Sequence, residues 1–249
     1  MPELRGPDRS PLSEIQKAGL LRQAIAHVRT ASRLSRVALF CSLFDLKPTT
    51  RILDLGGCDG VYINSVLADT SVMPSNVYIA DISCAEVESA AARFGYSMVV
   101  VSESDPLPFP DHFFDIVFCS SVLEHVTLPI QEVWREKSGT RFRRRAQIRQ
   151  RLFAKEISRV GTSYFVQVPY RWFPVETHTW LPFLGYLPRA MQCALIRISN
   201  RFWIKATTPD FYLPTAREMA EYFPDAEIRR ERIWGITKSL IAVKPPNVK

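Results

Sequence analysis

The run Ile52-Leu53-Asp54-Leu55-Gly56-Gly57-Cys58-Asp59-Gly60 limits the fold more than any other stretch of this 249-residue chain. Apolar residues around Asp54 suit a short buried strand, and the glycines that follow break it and lead into a helical pattern from Val61 to Ala68. Strand, glycine turn and helix are the opening of a βαβ unit. Glycines there let a ligand approach the backbone, whose N–H groups stay exposed, while an acid at the strand end can receive an ammonium group, directly or through water.

The alternation continues downstream. Strands are expected at Asn76–Ile82, Ser97–Val101, Asp115–Cys119 and Tyr164–Val168, with helices at Ala85–Phe94, from near Val122, and at Ile148–Val160. A helix near Thr215–Tyr222 and strands at Ala226–Trp234 and Ser239–Val243 close the pattern. The last two have no helix between them and predict an antiparallel hairpin. The expected fold is α/β: a doubly wound, Rossmann-like, seven-stranded, mostly parallel sheet with an antiparallel C-terminal edge hairpin and helices on both faces. One domain accounts for the length. It divides into N-terminal helices (1–48), a ligand-binding core (49–168), an insertion on the substrate side (169–213), and a C-terminal helix with edge strands (214–249).

Composition excludes several classes. An apolar fraction of 47% and a charged fraction of 23% are those of a globular domain. The cysteines Cys41, Cys58, Cys84, Cys119 and Cys193 lack the paired spacing of a zinc site or disulfide framework and read as reduced, mostly buried thiols; no metal ligand set is expected. Residues Met1 to Pro11 are polar and no apolar run is long enough to span a bilayer, so a cytoplasmic location is expected. Much of the net charge of +7 lies between Arg135 and Arg151. It reads as a solvated loop leading into a helix, with a phosphate-bearing substrate or an anionic membrane surface as the rival partner.

Asp81 ends the second expected strand about twenty residues after Gly60, where this class of fold presents a carboxylate to ribose hydroxyls. The G-x-G-x-x-G fingerprint of dinucleotide enzymes would need glycine at Cys58 and Val61, and neither is glycine. Asp54, Gly56 and Gly60 instead match the acid and spaced glycines of the class I S-adenosylmethionine-dependent methyltransferases. The chain resembles that family, and its type 11-like bacterial small-molecule or polysaccharide-cluster branch. Cys58 stands where that family often has a further glycine. The stretch from Glu103 to Val126, with Leu-Pro-Phe and Phe-Asp ahead of a strand, is similar to the same family's signature.

The resemblance implies S-adenosylmethionine as cofactor, held by Asp54, Gly56, Gly57, Cys58, Gly60, Asp81 and Ile82, by Ser102 and Glu103 near the adenine, and by Cys119 and Ser120 at the sheet edge. It implies methyl transfer to a small-molecule or glycan- or lipid-linked acceptor, at oxygen. RNA methylation and a non-catalytic cofactor-binding module are the alternatives, and a peripheral membrane contact stays open. The segment Pro169–Pro188 follows the fifth strand and is rich in proline and aromatic residues. There His178 has a pKa suited to taking a proton, with Glu176 to orient it, and His125 is a further catalytic candidate. Equally, Glu176 and His178 could hold the loop, with Trp172, Trp180 and Phe183 as a small core. The helix expected at Arg189–Trp203 reads as packed rather than membrane-lying.

Overall fold

The computed structural model describes residues 30–103, 105–203 and 205–246. Phe40 and the residues after it form one compact unit, and residues 30–39, outside it, are helical. The helices expected between Leu12 and residue 29 lie outside the described residues.

Seven strands make one sheet in the order β3-β2-β1-β4-β5-β7-β6. They are β1 (Ile52–Leu55), β2 (Val77–Asp81), β3 (Ser97–Val100), β4 (Phe114–Ser120), β5 (Gly161–Pro169), β6 (Glu227–Ile233) and β7 (Ile236–Lys244). The first five are mutually parallel, and β7 runs antiparallel to both β5 and β6. This is the expected doubly wound sheet with its antiparallel edge. Leu53, Val117, Tyr164, Val166 and Leu240 form its interior with Ile157 from a covering helix and Phe223 just past the end of another.

After the helical residues 30–43, the helices of the described residues are α1 (Val61–Leu67), α2 (Cys84–Phe94), α3 (Ile130–Val133), α4 (Gly139–Val160), α5 (Arg189–Ser199) and α6 (Ala216–Tyr222). Three depart from expectation. In place of a helix from Val122, a single 3-10 turn covers Leu123–His125 before the short α3, because Ser121 sits at φ 61° and Pro129 precedes α3. Helix α4 begins at Gly139 rather than Ile148, capped by the Ser138 hydroxyl, which accepts from the Arg141 N–H. The arginine-rich segment is therefore a helix, not a loop. Its Arg141, Arg143, Arg145, Arg149 and Arg151 pair with Glu136, Glu218, Glu132, Glu103 and Glu221. Helix α5 stops at Ser199, where Asn200 bonds both the N–H and the carbonyl of Thr207. It packs through Cys193 and Ile196 and leaves Met191, Leu195 and Ile198 exposed.

Two further readings change. Cys41, Cys58 and Cys84 are exposed, and only Cys119 and Cys193 are buried: their apolar neighbours in sequence are not their neighbours in space. Nor do Trp172 and Phe183 make the insertion's core, since both are exposed. Leu184, Ile196, Phe211 and Leu213 do so instead, backed by Trp134. Among the described residues, no helix is long and apolar enough to cross a membrane.

Glu218 ties α4, α6 and the segment at Tyr212 together. It completes a capping box with Thr215 and accepts from the Tyr212 hydroxyl at 2.7 Å, from Arg143 at 3.0 Å and from Gln147. Burial opposes its ionised form, but the Thr215 N–H, Tyr212 and Gln147 outweigh that and hold the carboxyl at about 2. Its contribution to stability is thus present above the ordinary carboxylate range and lost as pH falls towards 2. Replacing Glu218 by alanine is expected to cost about 3 kcal/mol, as for a buried charged hub. In denaturant melts the gap between the two proteins should narrow below pH 4; a gap that is small, or constant with pH, would contradict the assigned role.

Candidate functional site

Strands β1 and β4 are neighbours, and their carboxyl ends carry the two segments that build the site. After β1 the chain turns through Gly56 at φ 75° and Gly60 at φ 70°, conformations open to glycine at little cost. A Cβ on Gly56 would lie 2.4 Å from a Val122 methyl, so the turn fits directly against the segment after β4. A Cβ on Gly57 would lie 2.2 Å from the Asp54 carboxylate. Cys58 also adopts a left-handed conformation, at φ 48°, and is exposed. Its place suits glycine, as the resemblance led one to expect.

Asp54 is 3% exposed. Burial, then the nearby Asp81, push its carboxyl up to about 8. Asp81 closes the turn from the other side, accepting the Cys58 N–H at 3.2 Å and the Ser83 N–H at 3.0 Å. Among the described residues, neither acid is paired with a lysine or arginine. The side chain of Ile82 follows, 59% exposed. The Val101 N–H bonds the Asp81 carbonyl at 3.0 Å and brings Ser102 and Glu103 alongside; Glu103 faces Arg149 at 3.4 Å. Of the two residues expected at the sheet edge, both at the end of β4, Ser120 donates to Gln167 at 2.8 Å, whereas Cys119 is fully buried. Alternation along β4 turns its thiol into the core beside Leu123 and Val166, so the thiol itself cannot line a ligand pocket.

The other side of the site is a cluster that joins the turn after β4 to the insertion after β5. His178 Nδ1 lies 2.6 Å from Glu176 Oε1. Glu176 also accepts the Thr179 N–H at 2.7 Å, the Thr179 hydroxyl at 2.9 Å and the His178 N–H at 3.0 Å. His125 Nδ1 lies 3.0 Å from Asp210 Oδ2, and its ring meets that of His178 edge-on with centroids 4.8 Å apart. Phe211 stacks on His178 at 4.5 Å. Glu124, fully buried, approaches His178 Nε2 at 3.6 Å, and neither of its carboxylate oxygens has a hydrogen-bond partner among the described residues.

Burial alone would lower the pKa of His178, but Glu124 and Glu176 outweigh it and raise it to about 9. The ring expected to take up a proton already carries one at neutral pH. Sequence reasoning also passed over Glu124 and Asp210. Glu124 is adjacent to His125 in the sequence, but nothing local signals its burial. Asp210 is separated from His125 by 85 residues and could only be found in the fold. Beside Glu176 opens a cavity of about 470 Å³, lined also by Lys137, Arg143, Arg171, Arg189 and Phe211.

Residues 53–138 match the family described as "Methyltransferase domain". No curated protein matches the sequence. Among solved structures, the chain is similar to a candidate O-methyltransferase from Nostoc punctiforme PCC 73102, with 14% identity and a TM-score of 0.51 over 86% of this chain. It spans 56% of that protein's length. A protein from Aquifex aeolicus described as a SAM-dependent methyltransferase aligns over 89% of this chain and 97% of its own, with 18% identity and a TM-score of 0.45. The strand order is that of a Rossmann-like sheet, and the glycine turn between Asp54 and Gly60 lies within the segment, residues 53–138, that matches the methyltransferase-domain family.

Proposed function

We propose that the chain is an S-adenosylmethionine-dependent methyltransferase acting on a small-molecule acceptor, at oxygen. The observation that carries this is the pair Asp54 and Asp81, two acids converging on one glycine turn with no lysine or arginine of the described residues paired to them. A ligand with a cationic amino-acid end and a pair of ribose hydroxyls is the complement of that pair. S-adenosylmethionine, when bound, supplies a methyl group on a positively charged sulfur.

Asp54 receives the amino-acid end, and the backbone of Gly56 and Gly57 allows it close. Asp81 accepts hydrogen bonds from the ribose, and Ile82 offers an apolar shelf for a flat ring beside Ser102 and Glu103. Methyl transfer needs alignment more than covalent help, so the rest of the chain has mainly to place the acceptor. Glu176, His178 and His125 lie on that side. They give an oxygen acceptor polar groups that hydrogen-bond it and hold it in line, which a carbon acceptor would not use. The neighbouring cavity has the volume of a small-molecule site, and its basic rim suits an acceptor with an acidic group.

Calorimetric titration with S-adenosylmethionine and S-adenosylhomocysteine tests the reading, with NADH as control. Asp81→Asn is expected to weaken binding about 10- to 100-fold, the range for a hydrogen bond to a charged acceptor. Unchanged affinity in the variant, or a preference for NADH, would refute the proposed cofactor.

Proton linkage gives an independent check. In the free protein Asp54 sits at about 8, facing Asp81 from β2, Cys58 from the turn, Tyr96 from the segment before β3 and Cys119 from β4. A cationic ligand favours its ionised form. Affinity should therefore rise with pH up to about 8 and level off above it, with proton release on binding at pH 7. Titration in two buffers of different ionisation enthalpy measures that release, and finding none would remove Asp54 from the cationic end of the ligand.

A further inference from the structure

We propose that Glu124, His125 and His178 bind one divalent transition-metal cation, of the class that takes mixed nitrogen and oxygen ligands: zinc, manganese, iron(II) or cobalt(II). This site is separate from the glycine turn, and its existence does not depend on the cofactor proposed there.

One ligating atom from each of the three residues lies within 4.8 Å of the others. The donor set is two imidazoles and a carboxylate, which leaves coordination positions open, as in sites that bind a substrate rather than purely structural ones. Glu124 supplies the strongest indication. It is fully buried with both carboxylate oxygens lacking a hydrogen-bond partner among the described residues; His178 Nε2, at 3.6 Å, is within ion-pair range but beyond hydrogen-bond length, so the carboxylate is only partly compensated. A buried carboxylate left in this way is costly, and a cation held between it and the imidazoles removes the cost.

The surroundings are those of a metal site as well. Glu176 engages Nδ1 of His178 at 2.6 Å and Asp210 engages Nδ1 of His125 at 3.0 Å. Each carboxylate holds the Nδ1 side and the direction of its ring, so that an ion binding at Nε2 takes the place of the proton there and releases it, the arrangement that metal-bound histidines commonly show. Bonds of about 2.0–2.2 Å require ligand atoms about 3.0–3.5 Å apart, close to the present His178–Glu124 separation. The Glu124 backbone is fixed too. The Tyr212 N–H donates to the Glu124 carbonyl at 2.8 Å, and the buried Gln150 amide donates to the carbonyls of Leu123 and Tyr212, each at 2.9 Å. His125 is the accessible member, its side chain 36% exposed, and gives an ion its way in.

The test is cobalt(II) titration of the chelator-treated full chain, followed by visible absorption and by metal content after desalting. Wild type should take up one equivalent with ligand-field bands. Glu124→Gln and His125→Asn should each weaken uptake at least about 10-fold, and Asp210→Asn, which alters only the orientation of His125, about 10-fold. His112→Asn, away from the cluster, should bind as wild type does. Circular dichroism establishes which variants are folded; should Glu124→Gln fail to fold, the half-exposed His125 and Asp210 positions still decide. Failure of the folded wild type to bind one cobalt(II), or equal uptake by the folded variants, overturns the proposal. Cofactor calorimetry on the same metal-free protein reads the glycine turn separately, so the two proposals fail independently.

Discussion

Everything in the site hangs on β1 and β4 being neighbours whose connections leave towards different strands. The chain after β1 winds out to β2 and β3, whereas the chain after β4 winds the other way to β5. Parallel strands that part in this manner open a crevice at their carboxyl ends. Here the crevice is not left to two independent loops. Val122 fills the space over Gly56, so the position of the glycine turn and that of the 3-10 turn at Leu123–His125 are mutually set. Gln150 then pins the second turn from beneath, out of the longest helix of the described residues.

Two electrostatic environments result on either side of this contact. Around Asp54 and Asp81 negative charge is gathered with no counter-charge from the described residues, and the protein pays for that in a carboxyl group reluctant to ionise. Across the contact, acids and imidazoles alternate: Asp210, His125, Glu124, His178, Glu176. The first arrangement is incomplete without a positive ligand. In the second, His178 lies between Glu176 and Glu124, and the Glu124 oxygens lack a hydrogen-bond partner among the described residues.

How far the sequence revealed this depended on the range of the forces involved. The glycine turn was legible because its conformation is written locally, in residues that tolerate positive φ. The strands were legible because burial on both faces leaves apolar runs. By contrast, the start of α4 was hidden: an arginine-rich segment looks like a loop until Glu103, Glu218 and Glu221 arrive from elsewhere in the chain to pair with it, beside the local Glu132 and Glu136. His178 and Glu176 could be singled out from their spacing, but the state of the imidazole could not. It is set by Glu124, more than fifty positions earlier in the chain, which only the fold brings near.

The edge of the sheet has a consequence for how the chain reaches this structure. Strand β7 lies between β5 and β6 although it follows both in sequence, and β6 is joined to the sheet through β7 alone. During synthesis the edge of β5 therefore stays uncovered, with its backbone groups free to pair with other chains, until residues 236–244 emerge. Assembly of the parallel half can run ahead, but closure waits on the last strand. A ribosome that pauses before Ile236 would hold the chain at the point where it is most open to aggregation.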